Sequence, residues 1–322
     1  MRNRLPAISV IMSTYNRKSF LSRSIESLLA QSFESFEFIL INNGSTDGSD
    51  QVCEEYAKRD NRIKLFHIIQ NNGAPAGRNK GLELASCDYV TIIDDDDYCE
   101  PQMLEFLWNL SNRHHADIAI CGSWNDYNGE LEPYFVFEDL LVLNKVQGLD
   151  ELLKREKYNV APPAKLFRKE LFKGINFKEN VLVDDIHIIY KVFAKANTVA
   201  AKGVPLYRFT KHCGNMTSFI QTNKLSPDLL EEYLAAFHER TLFLSKAVPE
   251  ITARAKYSEW SYMISMCEKI IKYDLTECMD LFNSMVCALQ QHYNEVITCP
   301  FTTIKEKELL QQYIAATPNK II

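Results

Sequence analysis

Four consecutive aspartates, Asp94–Asp97, directly follow the apolar run Tyr89–Ile93, and a proline comes soon after them. Adjacent carboxylates repel one another, and beside a buried strand they cost folding free energy unless water or a cation compensates the charge. Mg²⁺ and Mn²⁺ prefer oxygen ligands and reach substrate phosphates through one or two carboxylates. The run therefore predicts a divalent-metal site, and a solvated acidic turn is the alternative on residue types alone.

The elements before this acidic run alternate between apolar strands and amphipathic helices. Helical spacing of apolar residues predicts a helix after each of the first three strands. The predicted strands are 7–12, 36–41, 63–69 and 89–93. Such a β-α-β-α-β-α-β series predicts a doubly wound, Rossmann-like α/β fold with a mainly parallel sheet and helices on both faces.

Polar side chains cluster where each of these strands ends. Ligands of open α/β sheets bind beyond the carboxyl ends of the strands. A merely solvated acidic turn would not require polar residues at the ends of the neighbouring strands, so the pattern favours a binding site. The clusters are Ser13–Arg17, Asn42–Asp47, Asn71–Arg78 and Asp94–Asp97.

The second half of the chain is less regular. A strand at 117–122 continues the sheet, 134–137 is a candidate antiparallel strand, and 204–209 is the last strand. Apolar residues at helical spacing predict a helix from Ile186, with Asp184 and Asp185 in or just before its first turn. From Ser226-Pro227 onward the pattern is one of successive amphipathic helices.

Composition excludes several classes of protein. Hydrophobic residues make up 46% and charged residues 24% of the 322 residues, which is typical of a globular protein with a sizeable core. The net charge of -6 offers no basic surface for nucleic acid. No apolar run reaches the roughly 20 residues of a membrane span, and no signal-peptide core is seen, so the expected location is cytoplasmic. The nine cysteines form no Cys-x-x-Cys pair, which favours reduced thiols over a zinc site.

Four motifs, in this order, resemble the serial motifs of family 2 glycosyltransferases. Several motifs in the correct order are more specific than any one of them. The resemblance continues through 165–168, 184–185 and 206–208, and fades after about residue 220. It implies the GT-A fold, a nucleotide-diphosphate sugar donor, Mn²⁺ or Mg²⁺, and inversion at the anomeric centre. The motifs are Ile8–Asn16, Phe38–Asp47, Ala76–Gly81 and Asp94–Tyr98.

The resemblance also implies a domain division. A GT-A domain would span 1–220, with a nucleotide-sugar half at about 1–124 and an acceptor half at about 125–220, followed by a helical C-terminal subdomain at 221–322. The helical part does not resemble a second transferase, which argues against a dual-site polymerase. A packed helical subdomain is expected there, with an acceptor, membrane or subunit surface as the alternative.

Donor-binding roles follow from the resemblance residue by residue. Ser13, Tyr15 and Asn43 would hold the base and ribose. Arg78 would face the diphosphate, where a guanidinium fork suits phosphate oxygens, and a salt bridge to a carboxylate is the alternative. The family usually has two carboxylates at Asn42-Asn43, of which the second accepts the imide N–H of uracil. Asn43 can accept through its amide oxygen but can equally donate, and UDP stays the expected nucleotide.

Metal-binding roles centre on the Asp-x-Asp motif within the acidic run. Asp96 would be a direct metal ligand, and Asp94 would contact the ribose or the metal. Asp95 fills the variable position of this donor site, and Asp97 would cap the next turn. His212 matches a histidine that often follows the last strand in related sequences, as a third metal ligand or a phosphate contact, with a structural role as the alternative.

The catalytic base implied by the resemblance is Asp185, with Asp184 at a position where the family has glutamate. The acceptor hydroxyl loses its proton as it attacks the anomeric carbon, so one carboxylate base suffices. We expect a helix N-terminus to keep Asp185 ionised, and helix capping is the alternative role. Lys165 would approach the acceptor or the diphosphate, or lie at the surface, and His187 would be structural.

The expected function is therefore transfer of a single sugar, of hexosyltransferase type, from a UDP-sugar to a hydroxyl of a glycan or lipid-linked acceptor in bacterial surface-polysaccharide synthesis. A sugar-nucleotide nucleotidyltransferase is one alternative, but Ser13–Arg17 lacks the glycine-rich loop that such enzymes carry. A non-catalytic sugar-nucleotide-binding module is the other, against which the retention of Asp94, Asp96 and Asp185 argues. Peripheral contact with the inner face of a membrane and assembly into a homo-oligomer are compatible with this function.

Overall fold

The computed structural model of the chain describes residues 6–212, 214–215 and 225–316. The chain divides into two compact units, Met1–His212 and Cys213–Ile322. The domain boundary predicted at 220–221 lies outside the described residues. The first unit contains the whole sheet, and the second contains the C-terminal helices.

Within residues 6–212, ten strands belong to one sheet. In chain order they are β1 (Ile8–Thr14), β2 (Phe36–Asn43), β3 (Ile63–Ile68), β4 (Tyr89–Asp94), β5 (Tyr98–Cys99), β6 (Ile118–Tyr127), β7 (Glu130–Phe135), β8 (Leu141–Asn144), β9 (Lys165–Arg168) and β10 (Thr198–Thr210). The α-helices of the same residues are α1 (Lys18–Leu29), α2 (Ser49–Arg59), α3 (Gly73–Leu84), α4 (Met103–His114), α5 (Lys145–Lys154) and α6 (Ile189–Lys195).

The sheet has the predicted mainly parallel core. Its order is β3-β2-β1-β4-β9-β6-β10-β5, with β7 beside β6 and β8 beside β10. Strands β1 to β4 are parallel to one another, β9 is antiparallel to both β4 and β6, and β10 is parallel to β6. All eight residues of β2 are buried, as expected of a parallel strand covered by helices on both faces. The predicted α/β fold class is confirmed.

The hairpin of β6 and β7 differs from the prediction. The candidate strand at 134–137 lies instead at 130–135, and β6 extends to Tyr127. Asn128 and Gly129 join the two strands with φ of 56° and 98°, the left-handed values of a two-residue hairpin turn. The Asn-Gly pair is the local signal that places this turn.

Helix α3 lies unusually close to β1. A Cβ added at Gly77 would lie 1.9 Å from Ser13 Oγ, and one at Gly81 would lie 2.2 Å from Ile11 Cγ2. Only glycine leaves room for this approach. The close packing fixes the position of Arg78, which lies between the two glycines, relative to the carboxyl end of β1.

The helix predicted from Ile186 begins later in the structure. A 3-10 turn, Asp185–His187, comes first, and α6 follows at Ile189–Lys195. Asp184 precedes this turn and makes no side-chain capping hydrogen bond. Both of its carboxylate oxygens instead accept from Arg78, so a tertiary contact replaces the local cap.

The second unit is helical, as predicted. Ser226 Oγ accepts a hydrogen bond from the backbone N–H of Leu229 at 3.4 Å, which explains the helix start at Ser-Pro. Among the described residues, no helix is long and apolar enough to span a membrane. The helices are α7 (Pro227–Ala247), α8 (Thr252–Lys272), α9 (Met279–Gln291), α10 (Tyr293–Thr298) and α11 (Ile304–Ala316).

Candidate functional site

The polar clusters at the strand ends meet at one edge of the sheet. Ser13 of β1 is the register partner of Asp94 in β4, and Thr14 is the partner of Asn42 in β2. Ser13 is half-buried under α3, whereas Tyr15 has 42% of its side chain exposed. The three strand ends therefore place a partly open, polar surface beside the acidic run.

Asp97 is a structural member of the acidic run. The hydroxyl of Tyr207 donates to Asp97 Oδ2 at 2.7 Å, and the backbone N–H of Thr210 donates to Oδ1 at 2.8 Å. The carboxyl group is buried, and this burial, followed by the charges of Asp96 and Asp94, raises its pKa well above the usual value. Asp97 thus links the turn after β4 to β10.

Asp96 lies against the histidine predicted to accompany it. Asp96 Oδ2 is 3.0 Å from His212 Nε2, and the imidazole stacks on Phe20 with 4.3 Å between ring centroids. Arg17 Nε lies 3.9 Å from the same Asp96 oxygen and 3.8 Å from Asp95. The motif cluster at 13–17 thus contributes a cation that has no role in the sequence-based interpretation.

Asp95, at the variable position of the motif, has its Oδ1 3.8 Å from Arg17 Nε. Burial raises its pKa to about 7, the charge of Asp96 adds to the rise, and the charge of Arg17 opposes it. A carboxyl group with this pKa is partly protonated at neutral pH. The run of four aspartates therefore carries less than four full charges in the folded protein.

Arg78 joins the two acidic segments of the chain. Its Nη1 donates to both carboxylate oxygens of Asp184 at 2.6 Å, and its Nη2 donates to Asp94 Oδ1 at 2.9 Å. Burial alone would lower the pKa of the guanidinium, but Asp184 and Asp94 outweigh it and hold the pKa above its usual value. The predicted diphosphate contact is thus occupied by two carboxylates in this structure.

Asp185 differs from its neighbour Asp184. Burial, and then the charge of Asp184, raises the pKa of Asp185 to about 6, while Arg78 lowers it in part. The expectation that a helix N-terminus keeps Asp185 ionised is therefore wrong. Asp185 begins a three-residue 3-10 turn instead of an α-helix, and burial has the largest effect on its pKa and raises it. A carboxylate with this pKa is a stronger base than an ordinary aspartate.

The amide of Asn43 is fixed by the loop before α3. Its Nδ2 donates to Asn71 Oδ1 at 3.1 Å and to the carbonyl oxygen of Gly73 at 2.8 Å, which uses both amide hydrogens. Its Oδ1 has one long contact, 3.5 Å from the backbone nitrogen of Asn72. The side chain therefore presents an acceptor and has no donor left for a ligand.

Lys165 is buried, and its ammonium group binds backbone carbonyl oxygens. Its side chain is 2% exposed, and Nζ donates to the carbonyl oxygens of Ala161 at 2.6 Å and Pro163 at 3.4 Å. Burial lowers the pKa of this amine to about 7. The predicted surface alternative for Lys165 is wrong, because β9 lies inside the sheet between β4 and β6.

The side chains of Asp96 and His212 are close enough together to ligate one divalent ion. Two ligands about 2.1 Å from an octahedral ion lie about 3 Å apart, which matches the separation of their oxygen and nitrogen. Oxygen and imidazole donors suit Mn²⁺. Asp94 is turned toward Arg78, and within the residues that the structure describes no three His, Cys, Asp or Glu side chains form a ready-made cluster.

The site lies largely within a region that matches a known family. Glycosyl transferase family 2 matches residues 9–175, just over half of the 322-residue chain. The chain belongs to glycosyltransferase family 2. The matched range includes the whole acidic run but ends before Asp184 and Asp185, so the structure alone joins that pair to the matched region.

Similar sequences and structures agree with this family. Glycosyltransferase GlyG of Streptococcus pneumoniae is 28% identical over 219 residues, which cover 65% of this chain and 72% of GlyG. The structure of S. aureus TarS 1-349 in complex with UDP-GlcNAc has a TM-score of 0.63 at 18% identity and covers 98% of this chain and 93% of that chain. Mannosyltransferase PcManGT from Pyrobaculum calidifontis, in complex with GDP-Man and Mn²⁺, has a TM-score of 0.59 at 14% identity over 99% and 82% of the two chains. These likenesses show the GT-A fold.

Proposed function

We propose that this family 2 glycosyltransferase is a metal-dependent, inverting enzyme that transfers one sugar from a UDP-sugar to an acceptor hydroxyl. The observation that carries the proposal is the double contact of Arg78 with Asp94 and Asp184. It brings the acidic run, which would hold the donor, next to the segment that carries Asp185. Donor and base then meet at the carboxyl edge of the sheet, where ligands of such folds bind.

Asp96 and His212 would hold a divalent ion, with Asp94 beside them. Such an ion neutralises the negative charge that develops on a leaving nucleoside diphosphate. Support comes from the 3.0 Å pairing of Asp96 with His212 and from a structural neighbour, PcManGT, that was solved with GDP-Man and Mn²⁺. Arg17, 3.9 Å from Asp96, adds a fixed positive charge on the same side.

Asp185 would act as the general base. As the acceptor oxygen forms its bond to the anomeric carbon, the hydroxyl proton passes to the Asp185 carboxylate and the bond to the diphosphate oxygen breaks on the opposite face. Both oxygens of Asp184 accept from Arg78, so Asp185 is the member of the pair suited to take the proton. Its pKa of about 6 leaves it ionised at neutral pH and more basic than an ordinary aspartate.

Asn43 would read the nucleotide base. Because both of its amide hydrogens are used by the loop, it can only accept, as the carboxylate usual in the family does. Uracil offers a ring N–H to such an acceptor, whereas cytosine and adenine do not. The structural neighbours were solved with UDP-GlcNAc and with GDP-Man, so the fold accommodates either kind of donor, and we propose UDP.

The proposed acceptor is a glycan or a lipid-linked glycan, in the assembly of bacterial surface polysaccharide at the cytoplasmic side of the membrane. The similar pneumococcal protein GlyG, also named a glycosyltransferase, supports a bacterial setting.

Donor hydrolysis across a panel of nucleotide sugars with Mn²⁺ tests the proposal. We expect turnover of a UDP-sugar that EDTA abolishes, and UDP binding that requires Mn²⁺. Metal-dependent binding without turnover of any donor would favour the non-catalytic module. If no donor turns over and none binds in a metal-dependent way, the transferase proposal fails.

The nucleotide assignment has its own test in Asn43. Asn43→Asp retains an acceptor, so the preference for UDP over CDP should persist, although the lost hydrogen bond to Gly73 weakens binding overall. Asn43→Ala removes the acceptor, and the preference should fall by about tenfold, the value of one hydrogen bond. Isothermal titration with UDP, GDP and CDP measures this, and a preference of the wild type for GDP would overturn the UDP assignment.

A further inference from the structure

Asp185 lies at the end of an irregular segment. Residues 173–185, called here the base segment, run from the 3-10 turn Lys169–Phe172 to the turn that begins at Asp185. No helix or strand holds this stretch, although general-base catalysis requires its last residue to be placed within hydrogen-bond reach of the acceptor. The contacts that hold the segment must therefore come from elsewhere in the fold.

Asn79 of α3 binds the backbone of the base segment. Its Nδ2 donates to the carbonyl oxygen of Phe177 at 2.9 Å, and the backbone N–H of Phe177 donates to Asn79 Oδ1 at 2.7 Å. One side chain thus satisfies both backbone groups of a residue that has no ladder partner. The phenyl ring of Phe177 is 1% exposed and further anchors this point.

Arg78, the preceding residue, binds the base segment near its C-terminal end. Its Nη1 lies 2.6 Å from both oxygens of Asp184, directly before Asp185, and its guanidinium lies over the Phe177 ring at 5.5 Å from the centroid. Its Nη2 continues to Asp94 at the end of β4. Two adjacent residues of one helix thus hold the segment at two points, Phe177 and Asp184.

Helix α3 is suited to serve as a rigid support. Gly77 and Gly81, on either side of the pair, approach Ser13 and Ile11 of β1 so closely that no Cβ would fit. The helix therefore cannot shift on the sheet without losing this packing. Helix α3 therefore fixes the position of the base segment relative to β1, the strand whose carboxyl end begins the proposed donor site.

We propose that Arg78 and Asn79 are positioning residues that hold Asp185 in register with the donor site. This inference rests on the proposed function, because it takes Asp185 as the base. Arg78 acts here as a strut between Asp94 and Asp184, and its three hydrogen bonds to carboxylates persist when the donor binds. Asn79 acts only through the backbone of Phe177.

Asn79→Ala tests the proposal, because this side chain binds the backbone of Phe177. We expect kcat for UDP-sugar hydrolysis to fall by about 100-fold, the cost of misplacing a catalytic group by about 1 Å. KM and UDP affinity should stay within about twofold, because the donor contacts remain. Lys80→Ala is the matched control, since Lys80 lies next on the same helix and its ammonium pairs with Glu83.

Hydrogen–deuterium exchange supplies a readout that does not depend on activity. In Asn79→Ala, amides of residues 173–185 should exchange about tenfold faster, while the amides of β1 and β4 stay protected. Lys80→Ala should match the wild type. Unchanged exchange in the base segment of Asn79→Ala would overturn the anchoring, whatever the activity.

Arg78→Lys tests whether Arg78 bridges Asp94 and Asp184 or binds the diphosphate of the donor. One ammonium group cannot bridge Asp184 and Asp94 with the same geometry, so kcat should fall by about tenfold or more while UDP affinity changes little. A loss confined to UDP affinity, with kcat retained, would overturn the strut role. If the wild type neither turns over nor binds any nucleotide sugar, the proposed function fails. Hydrogen–deuterium exchange alone then tests whether Asn79 anchors the base segment.

Discussion

Neighbouring aspartates have different partners in the two acidic segments of this protein, Asp94–Asp97 and Asp184–Asp185. In the first segment each carboxylate has a different set of partners, from Arg78 at Asp94 to His212 at Asp96 and Tyr207 at Asp97. In the second segment one carboxylate is neutralised by Arg78 and the other keeps a raised pKa.

The difference shows that identical residues acquire their roles from what lies opposite them. A donor or metal site needs several carboxylates spread over a surface, whereas a base needs one carboxylate whose charge is not already compensated. Arg78 serves both segments at once, and so the two sites are coupled through one guanidinium.

The largest expected effect is a loss of turnover on substitution in the second segment. Asp185→Asn keeps the shape of the side chain but cannot take a proton, so sugar transfer and donor hydrolysis should fall by about 10²- to 10⁴-fold. UDP binding with Mn²⁺, measured by isothermal titration, should match the wild type. If the variant instead keeps its turnover, the base lies elsewhere and the comparison of the two segments loses its basis.

The next effect concerns the first segment. Asp96→Ala removes the carboxylate that lies 3.0 Å from His212, so the affinity for UDP in the presence of Mn²⁺ should fall by about 100-fold. Binding measured in EDTA should be equally weak in both proteins. Unaltered Mn²⁺-dependent affinity would move the metal site away from Asp96.

A third prediction separates Asp97 from the rest of its segment. Asp97→Ala leaves the buried hydroxyl of Tyr207 and the N–H of Thr210 without their acceptor, which should lower the free energy of unfolding by about 3 kcal/mol in urea. Asp97→Asn replaces a carboxyl group of raised pKa by a neutral group of the same shape and should cost less than about 1 kcal/mol. Equal losses in the two variants would show that the charge of Asp97 is needed for stability.

The smallest effect is a pH dependence. The base works when deprotonated, and the pKa of Asp185 is about 6, so activity should be lost as pH falls through 6. At one unit below this pKa, kcat/KM should be about tenfold lower than at neutral pH. Asp184→Asn removes the neighbouring charge that helps raise this pKa, and its pH profile should shift to lower pH. An identical profile in both proteins would exclude Asp185 as the titrating group.

The fold could be predicted in large part because its signals are local. The strands before the acidic run show short apolar stretches ending in polar residues, and this pattern is enough to place β1 to β4 and the helices between them. The two-residue strand β5 is too short to show such a pattern, and β8 reads Leu-Val-Leu-Asn but is a four-residue edge strand, so both form by pairing with β10.

The candidate site could be predicted only as a set of residues. The resemblance to the family pointed to Asp94, Asp96, His212 and Asp185. It left Arg78 as a diphosphate contact or a salt-bridge partner, and Lys165 near the acceptor or diphosphate or at the surface. The structure places Arg78 between two carboxylates and buries Lys165 under backbone carbonyls. Neither arrangement has a signal in the neighbouring sequence.

The amino-acid sequence by itself determined the order of the elements and the edge of the sheet at which polar groups collect, since apolar periodicity acts over a few residues. The tertiary structure decided which aspartate pairs with Arg78, which lies against His212 and which accepts from Tyr207. Asp184 and Arg78 are 106 residues apart in the chain, and Asp96 and His212 are 116 apart. Charges at such separations meet only after the strands have paired, so burial and partner choice, and with them each pKa, belong to the folded protein.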